Sequence, residues 1–399
     1  DSINGLSQTT RGDIYVATQD GLAVLDKLGD VKRIWNDLTE PALSNSSVMS
    51  LLADKDSVWV GTFSGGLNRV FFDEREPDRF FYRPTDSQSL GANGVTSLLR
   101  SKNGKIYVGT YQGGLNILNE DGKSFLRLTA NDTDGLSISN DNVIALYQDS
   151  LGLIYIGTES GLNVLDEATG SIQIFRSERG NSKSLTSDLV WTFFEDRDGD
   201  LWIGTNRGGP NIWPLEDRRK LLPSFLHLDA ITLPTQSISG ISQDDLGFIW
   251  LSHSAGLTRL KKDESYSRNF GPRDGLQASD YNVGSVFKAD DGRIFFGGNR
   301  GFNVIDPGLI PLSGPGPKVS IDEIRVNSTR RALNRDEAGN SRSAIVLEYT
   351  DTLFEVDFSA NSFSDPEKVT YAYKLSGINT DWIIGDDKHT AYFTTLPPG

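Results

Sequence analysis

The chain has 399 residues, 37% hydrophobic and 23% charged, which predicts a folded protein with more than one domain. A net charge of −15 argues against nucleic-acid binding, which needs a basic patch, and against docking on an anionic membrane surface. With no cysteine, a disulfide framework, cysteine-liganded zinc and a cysteine nucleophile are all excluded.

The first element belongs to a repeat. IYVATQDGLAVL at Ile14 returns as VWVGTFSGGLNRV at Val58, IYVGTYQGGLNIL at Ile106 and IYIGTESGLNVL at Ile154. LWIGTNRGGPNI at Leu201, IWLSHSAGLTRL at Ile249 and IFFGGNRGFNVI at Ile294 complete the set. The first Gly position falls at Ala17, Gly61, Gly109, Gly157, Gly204, Ser252 and Gly297, a spacing of 44 to 48 residues. A period of roughly 40–50 residues marks a solenoid, propeller or array.

The fourth repeat shows the internal plan. Asn142–Asp149 alternates apolar and polar residues, Ser150-Leu151-Gly152 turns, and IYIGT follows. Glu159-Ser160-Gly161 turns into LNVLD, and Ala168-Thr169-Gly170 turns into SIQIF. Alternation of period two between Gly and Asp turns predicts four antiparallel strands. Seven such units predict an all-β, seven-bladed propeller over 1–308. The rings at Trp59, Tyr107, Tyr155, Trp202 and Trp250 are expected to fill the space between blades. The polar loops 36–47, 84–93, 130–141 and 177–188 are expected on one face with the second turn of each repeat. Loops on a rigid scaffold are where binding residues concentrate.

The seventh repeat stops after GFNVIDPG, so its outer strand is expected from residues upstream of Asp1 or from Val319–Asn327. Residues 309–318, LIPLSGPGPK, read as a Pro/Gly linker. In 319–399, VSIDEIRVN, SAIVLEYTD, LFEVDFSA, VTYAYKLSG and TAYFTTLPPG read as strands of a small Ig-like β-sandwich. The close on LPPG predicts a sandwich that is incomplete at its C-terminus. The opening DSINGLSQ has no signal-peptide character and starts inside a repeat, which predicts a piece of a longer protein. No apolar run approaches the ~20 residues that span a bilayer.

Catalytic signatures are scarce. His227, His253 and His389 form no HxH or HExxH spacing, so no metal site is expected. There is no G-x-S-x-G elbow and no P-loop, and no cofactor is expected. Asp196, Asp198 and Asp200 in DRDGD lack the spacing and closing Glu of a calcium loop. Binding candidates come instead from the second turns, whose residues vary where a turn alone would not require it. These are Phe63, Tyr111, Gln112, Glu159, Arg207, His253 and Arg300. Aromatic rings stack on sugar faces, and Arg pairs with carboxylates or sulfates. Trp191 and Tyr281, beside the first strands of blades five and seven, read as core residues that are also placed for binding.

The repeat, a first strand, a D-x-x-G turn, WIGT and GGLN, resembles the regulator-propeller repeat of two-component sensors. TYAYKLSGINTDW at Thr370–Trp382 and AYFTTLPPG resemble the three-tyrosine (Y_Y_Y) domain that follows those propellers. Tyr371, Tyr373 and Tyr392 match its tyrosines, with Leu375, Gly377 and Trp382 completing the pattern. The resemblance implies the periplasmic sensor region of a Gram-negative inner-membrane receptor. It further implies a homodimer in the parent receptor, a membrane segment outside these residues, and a cytoplasmic histidine kinase or diguanylate cyclase. It also implies an oligosaccharide or other small ligand rather than a substrate to be turned over. Two other readings compete, a propeller lyase or hydrolase acting on polysaccharides and a protein-interaction scaffold.

Overall fold

The computed structural model describes residues 1–9, 12–26, 29–131, 136–228, 231, 233–310, 319–331, 345–348, 350–360, 371–379, 381–386 and 389–394. The chain divides into two compact units, Asp1–Ile310 and Pro311–Gly399. The stretch 311–318 expected as a linker and the terminal LPPG lie outside the described residues.

Each repeat forms one antiparallel sheet with its strands in chain order, labelled a, b, c and, where present, d. Blade four is typical, with strands Val143–Gln148, Leu153–Thr158, Gly161–Asp166 and Ser171–Phe175. Blades one to six have four strands, and blade seven has Tyr281–Lys288, Ile294–Gly298 and Gly301–Ile305. The a strands touch one another in succession, and that of blade seven returns to Ile3–Gln8 of blade one, so the ring is closed. The fold is a seven-bladed β-propeller.

The D-x-x-G sequences make the a–b turns. In blade four the amide of Gly152 donates to the carbonyl of Asp149 (3.2 Å) with Gly152 at φ 91°, which a side chain would resist. The core lies between blades rather than within them. Tyr155, Leu162, Val164 and Phe175 of blade four pack on Val190, Phe193, Leu201, Ile203 and Trp213 of blade five. A short connection departs from the all-strand expectation. A single helical turn, Leu215–Arg218, joins strands c and d of blade five and buries Arg218 beside Asp149 (3.1 Å) and Glu195.

Closure depends on residues at opposite ends of the propeller sequence. The side-chain Nδ2 of Asn282 donates to Ser2 Oγ (2.7 Å), Ile3 O (2.8 Å) and Asn4 Oδ1 (3.2 Å). Ile3, Ile14, Val16 and Leu25 of blade one share a core with Ala289 and Phe295 of blade seven. Val319–Asn327 does not complete blade seven. Its residues Val319–Val326 pair with Thr329–Arg331 and Phe354–Ala360 in the second unit, whose sheet already uses both edges of that strand.

In the second unit, Thr390–Phe393 extends this sheet, and Tyr371–Tyr373 pairs with Ile383–Asp386. Phe358, Ala391 and Phe393 meet Tyr371, Tyr373 and Leu375 in a sandwich-like core. The stretch expected as the strand SAIVLEYTD is not a strand in its described part. Glu348 and Asp351 close a turn on each other there, and Val346 is exposed. Of the three tyrosines, Tyr371 and Tyr373 face the core at alternate positions, while Tyr392 is exposed.

Candidate functional site

One face of the propeller is built from the b–c turns and the d–a loops, held together by backbone hydrogen bonds. The amide of Phe63 donates to Ser47 O (2.9 Å), Tyr111 to Gly94 O (2.8 Å) and Asn206 to Leu189 O (3.0 Å). In blades one to five the turn is fixed from within by the Thr that ends strand b. Thr62, Thr110 and Thr205 donate to the carbonyls of Gly66, Gly114 and Gly209, all at 2.8 Å. The rim is therefore a rigid frame that carries variable side chains.

Blades two and three each carry an exposed aromatic residue on a b–c turn. Phe63 and Tyr111 are 65% and 51% exposed, large values for rings on an ordered turn. Gly94 lies between their turns, and a Cβ there would be 3.1 Å from Phe63 O and 3.5 Å from Tyr111 Cβ. Next along the rim, the Gln112 amide donates to Asn142 Oδ1 (2.8 Å), and Asn142 Nδ2 donates to Glu159 Oε2 (2.6 Å). Arg207 and Arg300 are exposed on the turns of blades five and seven. Their backbones are anchored, with the Arg207 amide donating to Ser237 Oγ (3.3 Å) and that of Arg300 to Gln277 Oε1 (3.0 Å). Gln112 and Arg207 hold φ of 68° and 65°, a costly conformation for side-chain-bearing residues that collects at functional turns.

His253 is a correction to the expected set. It is fully buried at the end of strand b in blade six, not on the rim. Its Nδ1 accepts from the Ala255 amide (3.2 Å), as the Thr158 hydroxyl accepts from Ser160 in blade four (3.1 Å). Its Nε2 lies 2.8 Å from Thr258 Oγ1, whose own hydroxyl donates to Asn269. The imidazole thus replaces the repeat's Thr, and burial pulls its pKa down to about 4.

Tyr281 is core, its hydroxyl donating to Asn303 Oδ1 (2.9 Å). Trp191 is only half-buried and lines a cavity among the inner strands. Asp196, Asp198 and Asp200 do converge on one cation, but it is Lys262, at 3.2 Å from Asp196 and Asp198 and bonded to Asp200. Burial opposes the charge on Lys262, yet the bonds and charges of Asp200 and Asp196 push its pKa up to about 12. The partner stands in blade six, more than sixty residues along the chain, which no local motif reveals. Among the described residues, no group of three or more His, Cys, Asp or Glu is placed to hold a metal ion.

The two-component regulator propeller family matches residues 137–160 and 184–207, in blades four and five, and the Y_Y_Y domain family matches 362–399. No curated protein matches the sequence. Among solved structures, an extracellular domain from B. thetaiotaomicron, described as that of a hybrid two-component system, is 16% identical with a TM-score of 0.61. It aligns over 100% of this chain and 53% of its own, so the chain spans about half of that structure. Virginiamycin B lyase from Staphylococcus aureus is 13% identical with a TM-score of 0.53, over 76% of this chain and 93% of its own. YCF48 from Cyanidioschyzon merolae is 13% identical with a TM-score of 0.57, over 77% and 96%. At these identities the likeness is one of fold. The family matches add the kind of repeat, and the chain carries two-component regulator propeller repeats in its propeller and a Y_Y_Y domain after it.

Proposed function

We propose that this chain is the extracytoplasmic ligand-sensing region of a transmembrane signalling receptor, located in the periplasm of a Gram-negative bacterium. The ligand is a carbohydrate, and its binding is relayed to a cytoplasmic kinase or cyclase. The observation that carries the reading is the pair Phe63 and Tyr111, two exposed rings on neighbouring hydrogen-bonded turns. Exposed rings cost solvation unless a partner covers them, and the apolar face of a sugar ring is such a partner. Arg207 and Arg300, exposed further round the rim, suit acidic substituents on the same ligand.

Sensing requires that the ligand favour one of two receptor arrangements over the other. A homodimer of the parent receptor supplies such arrangements in this reading. A thermal-shift screen against neutral and acidic oligosaccharides, with product analysis on each hit, tests it. Ligand binding to the folded state raises the melting temperature. A shift with the oligosaccharide recovered intact supports sensing, whereas a shift with cleavage replaces it with the lyase or hydrolase reading.

A further inference from the structure

The inner strands of blades one to six share one irregularity. Pairing of strand a with strand b skips one residue between Ile3 and Gly5, Val48 and Ser50, and Val143 and Ala145. It does so again between Val190 and Thr192, between Ile238 and Gly240, and at Thr96 in blade three. In blade seven the register shifts between Tyr281 and Val286. A bulge leaves one residue out of the ladder and re-aims its side chain, a device common beside binding sites.

The bulged residues of blades one to five are Asn4, Met49, Thr96, Ile144 and Trp191, and all five line a cavity of about 300 Å³ enclosed by the inner strands. Their flanks are uniform, with Ile or Val before and Gly, Ser, Ala or Thr after. The bulged positions themselves range over amide, thioether, hydroxyl, aliphatic and indole. That contrast separates what the fold needs from what the cavity presents.

Two features define what fits. Among the described residues, no Asp, Glu, Lys, Arg or His lines the cavity, although the chain carries a net charge of −15. A charged group entering it would lose its hydration without gaining a counter-charge. Trp191 supplies a broad apolar face, and its indole N–H meets no acceptor among the described residues. A volume at the low end of the ~300–1,000 Å³ typical of small-molecule sites suits one ring, not a chain.

We propose that this axial cavity seats a single uncharged sugar-sized ring against Trp191, so that the propeller reads the end of its ligand rather than its middle. The proposal rests on the carbohydrate reading of the rim and adds a second contact to it. The inner strands surround the cavity, so a ligand reaches it only end-on.

Trp191 is itself the probe. Trp35, Trp59, Trp202, Trp213 and Trp250 are buried, and Trp382 is 67% exposed in the second unit. In Trp382→Phe, acrylamide quenching therefore reports chiefly on Trp191. Methyl glycosides of glucose, galactose, mannose, xylose and arabinose are titrated to millimolar concentration. At least one is expected to shield the indole, and its affinity by calorimetry should fall about tenfold in Trp191→Ala, a loss expected of a buried aromatic anchor. Trp191→Leu serves if the alanine variant does not fold. Absence of shielding by all five glycosides, or an unchanged affinity in both variants, overturns the proposal. Oligosaccharide binding that needs Phe63 but not Trp191 overturns it while leaving the rim reading intact, whereas an oligosaccharide response absent from the unaltered protein removes the rim reading itself.

Discussion

Gly61 and Ser50 share one space between strands a and b of blade two. A Cβ on Gly61 would collide with Ser50 Oγ and lie 2.5 Å from Val95 Cγ1 of the next blade. Gly109 meets Ser97 and Val143 in the same way, and Gly297 meets Ser285 and Ile3. Blades one and six break the sequence motif with Ala17 and Ser252. In the folded protein the two strands exchange roles there, because Ala17 pairs with Gly5 and Ser252 with Gly240. Gly61→Ala is expected to cost ~1–3 kcal/mol by overpacking. Adding Ser50→Gly should recover part of that loss by reproducing the pairing of blade one. Urea midpoints check this, and equal losses in the single and double variants would contradict it. The repeat makes the glycine legible, but its partner emerges only from the strand register.

His253 gives a pH-dependent prediction at the same scale. Its folded pKa of about 4 lies below its ordinary 6.5. Between those values the unfolded chain takes up a proton that the folded protein refuses, so stability falls as pH drops through that window. Each tenfold difference in proton affinity between the two states corresponds to ~1.4 kcal/mol, which makes the full loss a few kcal/mol. His253→Thr, which restores the residue of the other blades, is expected to flatten stability between pH 6.5 and 4. An unchanged slope in denaturant midpoints across that range would show that the imidazole is not the cause. Its position at a second turn suggests the rim, and only burial distinguishes the two roles.

In blades four, five and six, the aromatic of strand b does more than fill space. Tyr155 donates to Asp149 (2.8 Å), Trp202 to Asp196 (2.9 Å) and Trp250 to Asp244 (2.9 Å), tying the ring to the carboxylate that shapes the a–b turn. Both residues stand out in the sequence, but their bond depends on hairpin geometry. Blade three has Ser101 in place of the Asp, and Tyr107 turns to Glu167 of blade four (2.8 Å). Burial first, and then the bond to Glu167, hold that phenol above its ordinary pKa. In blade six, Asp244 also pairs with Arg259 at 2.7 Å, both fully buried, and Arg259 lies 4.2 Å from the Phe248 ring centre. Removing one partner of a buried pair leaves the other uncompensated, so Asp244→Ala is expected to cost ~3–5 kcal/mol. Chemical denaturation tests this, and a loss no larger than that of a surface substitution would refute it.

Across the whole molecule, the period of the repeat makes the blade number and strand order legible from the chain alone. The closing contacts are not legible in it, because Asn282 meets Ser2, Ile3 and Asn4 across the length of the propeller. The site is partly legible for the same reason. Variation at fixed turns points to Phe63, Tyr111, Arg207 and Arg300, whereas the bulge that aims Trp191 at the axis is a property of paired strands. The propeller thus keeps a uniform frame and varies what that frame presents.

The most direct test of ligand sensing at this rim is calorimetric titration of an oligosaccharide hit into the intact chain and into Phe63→Ala/Tyr111→Ala. Both rings are exposed, so the paired substitution should leave the melting temperature of the free protein nearly unchanged. A loss of affinity of about tenfold to a hundredfold is expected, the ~1–3 kcal/mol of aromatic anchors. Equal affinity in the two proteins would contradict it and move the ligand away from this face.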